Sequence, residues 1–278
     1  MSVIKVNNIT SRDGTTGPVI AGIATVSTTS HLVVPTGNTG QKVALAPDPY
    51  INNLVLALPF NSESVFSDVS PNSKGDPATV GIGTTTLSLP NGISGVSTIA
   101  ASGIVTFSKY YTHSCFFNGT TAHLQFINDS TMQFGLQDFT FETWFYWRGT
   151  RTEFQICGSA SDDFNIYVGS GVGFYDGTNT TISTASTTTG TWHHYALTRK
   201  YEVGISSSFQ YKYRVFIDGN EIGSFGRLKD YSSGISFVVG RNGTGGTTLA
   251  DGYLQDLRLY KGVAKYTSNF TPPNQIAL

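Results

Sequence analysis

The sequence predicts an all-β protein, an antiparallel β-sandwich preceded by an extended N-terminal segment. Charged residues make up 13% of the 278 residues, about half of the usual share of about 25%. Aromatic residues account for another 13% and glycines number 31, a composition that favours strands and turns over long helices. From residue 110 onward, short strand-like runs alternate with turns every 8–12 residues or so, which is typical of sandwiches and barrels.

The first 49 residues differ from the rest, because they contain no tryptophan, phenylalanine or cysteine. Their short apolar runs are separated by Gly, Thr and Ser, and such a segment buries too little surface to fold alone. We expect it to become ordered as an anchor on another surface; a floppy tail is the alternative. The two prolines of Ala46–Pro49 predict a hinge between this segment, 1–49, and a body, 50–278. The residues expected to anchor are Ile4, Val6, Ile9, Val19 and Ile20.

Strand-like runs then follow one another along the body. The first covers 54–60, and a turn-rich stretch occupies 61–109. The Asp218-Gly219 pair between two strand-like runs predicts a hairpin. The later runs predicted as strands are 139–147, 154–157, 164–168, 173–175, 192–199, 211–218, 237–239 and 253–260.

The run from Phe139 to Trp147 carries the strongest strand signal. Side chains alternate between the two faces of a strand, so Phe139, Phe141, Thr143, Phe145 and Trp147 share one side, and Thr140, Glu142, Trp144 and Tyr146 share the other. Both sides carry large aromatic side chains. We therefore predict a central strand that is covered on both faces.

Several of these motifs, in this order, resemble the laminin-G-like domains of the concanavalin A-like superfamily. The resemblance covers about 220 residues and implies a concanavalin A-like antiparallel β-sandwich of the jelly-roll type. The motifs that carry it are Leu54–Phe60, Phe116-Phe-Asn-Gly119, Phe139–Phe145, Gly190-Thr-Trp-His-His-Tyr-Ala-Leu-Thr-Arg199, Val215-Phe-Ile-Asp-Gly219, Gly252–Tyr266 and the proline-ended Thr267–Pro273.

The N-terminal segment has a resemblance of its own. Ile4–Gly14, Gly22–Val26 and Val34-Pro-Thr-Gly37 are similar to the leader of structural proteins from marine tailed bacteriophages, notably those that infect cyanobacteria. The resemblance implies a virion protein that is assembled in the host cytoplasm. It fits the lack of a signal-peptide pattern after Met1.

The sequence offers little support for catalysis. Glucanases of the concanavalin A-like fold resemble one another in carrying Glu-x-Asp-x-Glu on one strand, and glycosidic cleavage needs two convergent carboxyl groups. In this sequence the position two residues after Glu142, where the pattern requires an acid, holds Trp144. Asp218 and Glu221 lie on either side of a turn. His193 and His194 are adjacent, so a strand would point them to opposite faces. We expect no enzymatic activity.

Two kinds of binding site have candidate residues. Asp162, Asp163, Asp251 and Asp256 could supply oxygen ligands to calcium, although aspartates near turns often serve the turn itself. Trp147, Tyr175 and Asp176 could bind a glycan, because sugars are held by aromatic rings with a few polar groups. The alternative is that the tryptophans belong to the core.

The net charge and the cysteine content of the sequence limit the kinds of partner and bound group that we expect. The formal net charge of −1 selects neither nucleic acid nor a charged membrane surface, and no apolar run approaches the ~18 residues of a membrane span. Cys115 and Cys157 are too few for a disulfide framework or a four-cysteine zinc site. They are either unpaired strand residues or one disulfide. No cofactor is expected, calcium excepted.

These observations lead to one function and one alternative. We expect a non-enzymatic virion structural protein of a tailed phage, either a capsid decoration or a fibre-like protrusion. The alternative is a tail-associated lectin that recognises host surface glycans with avidity from many copies. The expected partners are other virion proteins, a host cell-surface glycan and further copies of this chain.

Overall fold

A computed structural model gives the fold of the body. It describes residues 48–60, 68–71, 78–80, 103–105, 108–110, 113–126, 133–159, 164–169, 171–176, 179–183, 187–206, 209–231, 237–243 and 248–273. The predicted anchoring residues Ile4, Val6, Ile9, Val19 and Ile20 lie outside the described residues. So do the calcium candidates Asp162 and Asp163.

The described chain is almost entirely strand and turn. A three-residue 3-10 helix, Ile51–Asn53, leads into the first of fifteen strands. Within the described ranges, no helix is long and apolar enough to cross a membrane. The strands are β1 (Leu54–Leu58), β2 (Ala78–Val80), β3 (Gly103–Val105), β4 (Ser114–Asn118), β5 (His123–Phe126), β6 (Phe139–Trp147), β7 (Glu153–Ser159), β8 (Asn165–Gly169), β9 (Val172–Tyr175), β10 (Asn179–Ser183), β11 (Trp192–Ser206), β12 (Phe209–Ile217), β13 (Asn220–Gly226), β14 (Phe237–Val239) and β15 (Asp251–Lys261).

The strands form two antiparallel sheets that pack face to face. The first sheet has the order β13-β12-β11-β6-β15-β4-β3, and β1 pairs with the far end of β15. The second sheet has the order β10-β9-β8-β7-β14-β5-β2. Neighbours in space are often distant in sequence, as when β6 pairs with both β11 and β15. The predicted antiparallel sandwich is confirmed.

Strand β6 has the predicted bounds, and it lies in the middle of the first sheet. All nine of its residues are buried. Phe139, Phe141, Phe145 and Trp147 face the second sheet and belong to the core between the sheets. Trp144 packs on the other face, with its ring centroid 5.1 Å from that of His194. The prediction of a central strand covered on both sides is confirmed.

The core between the sheets is rich in aromatic rings. Phe139 stacks on Phe134 with the ring centroids 5.0 Å apart, and Phe164 and Tyr231 pack edge-on against it. Edge-to-face and offset contacts of this kind suit the quadrupoles of aromatic rings. Cys115 and Cys157 are both buried in the same core and are not bonded to each other, and burial raises the pKa of both thiols.

The outer face of the first sheet is covered by the C-terminal tail, residues 262–273. Thr198 Oγ1 donates a 2.9 Å hydrogen bond to the carbonyl of Tyr266, and Thr140 Oγ1 donates one to that of Val263. The ring of Tyr266 stacks on that of Phe270, with centroids 3.5 Å apart. The tail explains why polar side chains on this face of β6 are buried.

The strand predictions differ from the structure mainly at weak or short elements. The hairpin at Asp218-Gly219 is confirmed, with both residues at positive φ (51° and 79°), as a type I′ turn requires. Strand β11 extends seven residues beyond the predicted end at Arg199. The runs β2, β3, β5 and β10 were not predicted as strands, because they are short or Gly- and Thr-rich and alternate weakly. Strand β13 is the second strand of the predicted hairpin.

Candidate functional site

The outer face of the second sheet has the chemical character of a binding surface. Along β8 and β9, Ile166, Val168, Val172 and Phe174 point into the core. Because side chains alternate along a strand, Asn165, Tyr167, Gly173 and Tyr175 point away from the core. This surface, formed by the outward residues of β7, β8 and β9, is called the β7–β9 face below.

Strand register places the outward residues of the β7–β9 face in two rows. Gln155 of β7 lies opposite Tyr167 of β8, which lies opposite Gly173 of β9. In the second row, Gly158 lies opposite Asn165, which lies opposite Tyr175. Amide side chains, tyrosine rings and bare glycine backbone therefore lie next to one another.

Tyr167 lies down on the sheet rather than standing up from it. A Cβ atom at Gly173 would collide with the Tyr167 ring at Cζ, Oη and Cε2. The space above Gly173 is thus occupied by the neighbouring phenol. The ring rests on the backbone of β9, and Tyr167 remains partly exposed to solvent. Tyr175, two residues along β9 on the same face, is partly exposed as well.

One side of the β7–β9 face is bounded by the turn that follows β14. A Cβ atom at Gly158 would lie 2.5 Å from the backbone nitrogen of Gly243 and 2.8 Å from the carbonyl oxygen of Arg241. The turn therefore passes directly over Gly158. Two hydrogen bonds hold this turn. The backbone nitrogen of Asn242 donates to the carbonyl of Thr248 (3.1 Å), and the backbone nitrogen of Thr248 donates to Asn242 Oδ1 (3.1 Å).

The amides of this face are held in place. Gln155 is 2% exposed, and its Nε2 donates to the carbonyl of Cys157 (3.3 Å). Asn165 is 5% exposed, and its Oδ1 lies over Gly158. Amides this deeply buried help to fix the strands of the face and offer little surface for contact with a ligand.

The described part of the second sheet's outer face carries few ionisable groups. Glu153 is at the start of β7, and His123 is on β5 with its Nδ1 2.9 Å from the carbonyl oxygen of Thr121. Burial lowers the pKa of His123, and Arg241 lowers it further. Uncharged amides and rings therefore dominate the centre of the face.

The structure separates the three residues predicted to bind a glycan. Tyr175 lies on the β7–β9 face. Trp147 is 6% exposed within the core between the sheets, so the prediction that places it against a sugar is wrong, and the alternative of a core tryptophan holds. Asp176 is 3% exposed and forms an ion pair with Arg227, which makes it unsuitable for direct contact with a ligand.

Tyr167 is the residue that the sequence analysis missed. It lies inside a run that the sequence predicts as a strand, but an alternating Ile-Tyr-Val pattern does not reveal that the ring reaches over the neighbouring strand. Gly173, placed opposite it in the next strand, is the signal that could have found it. A glycine in a strand interior often marks the close approach of another group.

The calcium candidates Asp251 and Asp256 are held by arginines. Asp251 begins β15 and pairs with Arg148 at 2.9 Å, and Asp256 pairs with Arg258 at 2.7 Å. Burial raises the pKa of Asp251, against the opposing effect of Arg148. Among the described residues, no group of three or more His, Cys, Asp or Glu side chains could hold a metal ion. Both aspartates lie in a strand and not in a loop rim.

The residues considered for catalysis have other partners. Both ring nitrogens of His193 have hydrogen-bond partners. Nδ1 lies 2.7 Å from Asp218 Oδ2, and Nε2 lies 2.7 Å from Thr188 Oγ1. His194 lies on the opposite face of β11, 1% exposed and 3.7 Å from Glu142. The two histidines thus point to different faces, as predicted.

Glu142 belongs to a buried ionic cluster under the C-terminal tail. Lys265 Nζ is 2.7 Å from Glu142 Oε1, and the Tyr266 hydroxyl donates a 2.6 Å bond to Oε2. Burial alone would raise the pKa of Glu142, but Lys265, His194 and Arg258 hold it at about 2. A carboxylate in this state is a structural ion and not a general acid.

Comparison with known families identifies the sandwich. A laminin G-type family model, described as the concanavalin A-like lectin/glucanases superfamily, matches residues 118–265, just over half of the chain. This match confirms the resemblance seen in the sequence motifs. A comparison with curated proteins found no match.

Two solved structures share the fold at low sequence identity. Domain 4 of AbnA, an extracellular GH43 arabinanase from Geobacillus stearothermophilus, in complex with arabinotriose, is 16% identical, with a TM-score of 0.55. The match covers 77% of this chain and 94% of that one. The binding domain of Paraclostridial Mosquitocidal Protein 1 is 14% identical over 77% of this chain and 50% of that one, with a TM-score of 0.53. At these identities the likeness shows the fold alone.

Proposed function

The chain belongs to the concanavalin A-like lectin/glucanases superfamily, and from this we propose that it is a non-catalytic glycan-binding module that uses the β7–β9 face. The observation that carries the proposal is Tyr167, whose partly exposed ring reaches across to Gly173 on the face that also carries Tyr175. A partly exposed aromatic ring can contact the C–H groups of a sugar. The neighbouring amides of Gln155 and Asn165 are 2% and 5% exposed, so the two partly exposed tyrosines are the groups proposed to contact the sugar, as aromatic rings do in ligand sites of this kind.

Two features of related structures support the proposal. The arabinanase domain is described in complex with arabinotriose, and the mosquitocidal protein's matching region is described as a binding domain. Neither description refers to this chain. The two descriptions support a ligand-binding role for domains of this fold. The fold alone does not establish the function of this chain.

The proposal excludes glycoside hydrolysis by this chain. Hydrolysis requires two carboxyl groups converging on one bond, one of them protonated. Of the buried carboxylates discussed above, Asp176, Asp251 and Asp256 each contact an arginine. Glu142 contacts Lys265 beneath the tail. Each is committed to an ion pair.

The biological setting of the module is proposed from the N-terminal resemblance. In that setting the protein is part of a tailed-phage virion, joined to the particle by residues 1–49. It is a capsid decoration or fibre-like protrusion, or, in the alternative, a tail-associated receptor-binding lectin. Glycan binding fits all of these locations, because a weak site repeated on many copies gains avidity.

Affinity electrophoresis with purified protein tests the binding face. Soluble polysaccharides in the gel will retard the protein, and Tyr167→Ala will weaken the retardation at least about tenfold in apparent affinity, equivalent to ~1.4 kcal/mol. Tyr201→Ala is the matched control, because Tyr201 is 47% exposed on β11 of the other sheet. Equal retardation of wild type and Tyr167→Ala would remove this face from consideration.

Two further measurements address catalysis and location. Incubation with the same polysaccharides should release no new reducing ends, and turnover that is lost on changing one carboxylate to its amide would contradict the non-catalytic assignment. The copy number in purified virions separates the locations: hundreds of copies indicate decoration, and a few dozen or fewer indicate a fibre. Absence of the protein from virions would contradict the phage setting.

A further inference from the structure

A lysine and two carboxylates meet in a closed space beneath the C-terminal tail. Lys265 Nζ lies 2.7 Å from Glu142 Oε1 and 3.5 Å from Asp48 Oδ2. The side chains of Lys265, Glu142 and Asp48 are 6%, 1% and 2% exposed. They come from the tail, from the central strand β6 and from the start of the body. An amine is therefore held against two carboxyl groups with almost no access to water.

Aromatic rings surround the amine of Lys265. Its Nζ lies 4.0 Å from the centre of the Tyr260 ring, 5.5 Å from that of Tyr266 and 6.0 Å from that of Tyr50. Charges in a site of this kind have lost their hydration, and the attraction within an ion pair returns only part of that free energy. A neutral group in place of the pair would remove the cost. The surroundings thus favour a reaction that consumes one positive and one negative charge.

We propose that Lys265 and Asp48 form an intramolecular isopeptide bond, with Glu142 as the base that takes up protons from the lysine. In this step Nζ attacks Cγ of Asp48, the new N–C bond forms, and the bond from Cγ to one carboxylate oxygen breaks. The ammonium group gives up two protons, and both leave with that oxygen as one molecule of water. The product is a neutral amide, and no further reactant is consumed.

The contacts give the two carboxylates different roles. Glu142 Oε1 accepts a 2.7 Å hydrogen bond from Nζ, within the range of about 2.6–3.2 Å that a general base requires. Because Glu142 is ionised, it can receive a proton from Nζ and pass it to the departing oxygen. Asp48 Oδ2 accepts a hydrogen bond from the Tyr260 hydroxyl and lies 3.8 Å from Arg258 Nη1. Donors of this kind stabilise the negative charge that develops on a carboxyl oxygen under attack.

The folded structure supplies the activation that amide formation lacks in solution. Holding two reactants in place can equal an effective concentration of about 10⁵–10⁸ M, and exclusion of water protects the product from hydrolysis. The bond would fasten the start of the body to its tail. A pull on the chain before residue 48 would then be borne by a covalent bond and not by the pairing of β1 with β15 alone. No step of this inference uses glycan binding.

The mass of the full-length protein tests the inference without any variant. Mass spectrometry of the denatured protein should show a deficit of about 18 Da, one water, against the same chain without the bond. Trypsin should release a branched peptide in which residues 43–74 and 262–278 are joined through Asp48 and Lys265. A folded protein with no deficit would contradict the inference. A branched peptide that contains residues 110–148 in place of 43–74 would show that the lysine joins Glu142, and the assignment to Asp48 would be wrong.

Variants separate the roles of the three residues. Lys265→Arg keeps the charge but lacks the amine, and Asp48→Ala lacks the carboxyl carbon, so both should show no deficit. Lys261→Arg, at the end of β15, is the matched control and should keep it. Glu142→Gln should slow bond formation about a hundredfold or more, measured as the cross-linked fraction over time. An unchanged rate would contradict the role of Glu142 as the base. If a variant fails to fold, the wild-type mass and the branched peptide decide the inference alone.

Discussion

At the scale of single residues, the protein keeps several charges buried by pairing each one. Glu142 is 1% exposed, and Lys265, its partner, has a side chain that is 6% exposed. Lys265 also lies 3.5 Å from Asp48 and 4.0 Å from the centre of the Tyr260 ring. Removing one member of such a pair leaves an uncompensated buried charge, which costs far more than the pair contributes as a whole.

Glu142→Gln is therefore expected to lower the free energy of unfolding by about 3–5 kcal/mol. Glu202→Gln is the comparison, because Glu202 pairs with Arg214 at 2.6 Å but its side chain is 27% exposed. Arg214 keeps a second carboxylate, Glu221, at 3.8 Å when Glu202 is neutralised, so Glu202→Gln should cost about 0–1 kcal/mol, as for a surface ion pair. Urea unfolding of both variants measures the difference. Similar losses for the two would mean that burial does not set the strength of the Glu142 pair.

Acidification should destabilise the protein through His194 and Glu142. Burial lowers the pKa of His194 from its ordinary 6.5 to about 4, so the unfolded chain binds more protons between these values and stability falls as pH falls from 6.5 to 4. Glu142, held at about 2 instead of 4.5, continues the loss below pH 4.5. Urea midpoints across this range test the sign. His194→Gln should flatten the upper part of the curve, and an unchanged slope would contradict the role of His194.

At the scale of elements, the central strand and one buried arginine hold the sandwich together. Phe145 of β6 is fully buried, and its ring packs 5.9 Å from that of Phe154 on the opposite sheet. Arg199 of β11 is also fully buried. Its guanidinium donates to the carbonyls of Gly135 (2.8 Å) and Lys229 (2.9 Å). It thereby joins the loop that carries Gly135 to the loop that carries Lys229.

Phe145→Ala should destabilise the protein by about 3–5 kcal/mol, the usual cost of removing a packed phenylalanine. Leu136→Ala is the control, because Leu136 is 49% exposed and a surface change of this kind costs within about 0.5 kcal/mol. Thermal and urea unfolding give the values. An unchanged melting temperature for Phe145→Ala would show that β6 is not central to stability.

Arg199→Lys should be destabilising despite the retained charge. A single ammonium cannot reproduce the planar fork that reaches carbonyls in two loops, so one or more buried carbonyls lose their partner at about 1–3 kcal/mol each. Hydrogen exchange of residues 133–138 and 227–231 should accelerate together in this variant. Faster exchange in one loop alone would contradict the view that Arg199 couples them.

At the scale of the whole molecule, the sandwich includes residues that precede the predicted boundary at 49/50. Asp48 is 4% exposed. It accepts a 2.9 Å bond from the backbone nitrogen of Tyr50, and its carboxylate contacts Tyr260 and Lys265. The division into 1–49 and 50–278 remains a prediction, but Asp48, within the predicted anchor, contacts β15 and the tail.

A fragment that begins at Leu45 should fold and should be more stable than one that begins at Tyr50. The shorter fragment lacks Asp48, and the buried groups that it leaves without a partner cost about 1–3 kcal/mol. That corresponds to a lower melting temperature by several degrees, at ~2–4 °C per kcal/mol. Asp48→Asn in the longer fragment should reproduce most of the loss. Equal melting temperatures would show that Asp48 is dispensable.

The sequence by itself determined the features that depend on local pattern. Alternation over Phe139–Trp147 predicted a strand that is buried on both faces. The Asp218-Gly219 pair predicted its hairpin, because few residues adopt positive φ at adjacent positions. The order of motifs predicted the superfamily, since each motif belongs to one strand of the same sandwich. Tyr175 was placed near the start of a loop by its neighbours Asp176 and Gly177.

Only the tertiary structure decided what lies against each face. A strand pattern states which side chains point the same way, but it does not state which distant segment covers them. The carboxylates of Asp251 and Glu142 acquire their arginine and lysine partners from residues 103 and 123 positions away in sequence. Trp147 packs in the core, and the Tyr167 ring lies over Gly173. In both cases the neighbouring strands determine the space that is available to the ring. The candidate site is made of such contacts between strands, and so it appears only when the strands are assembled.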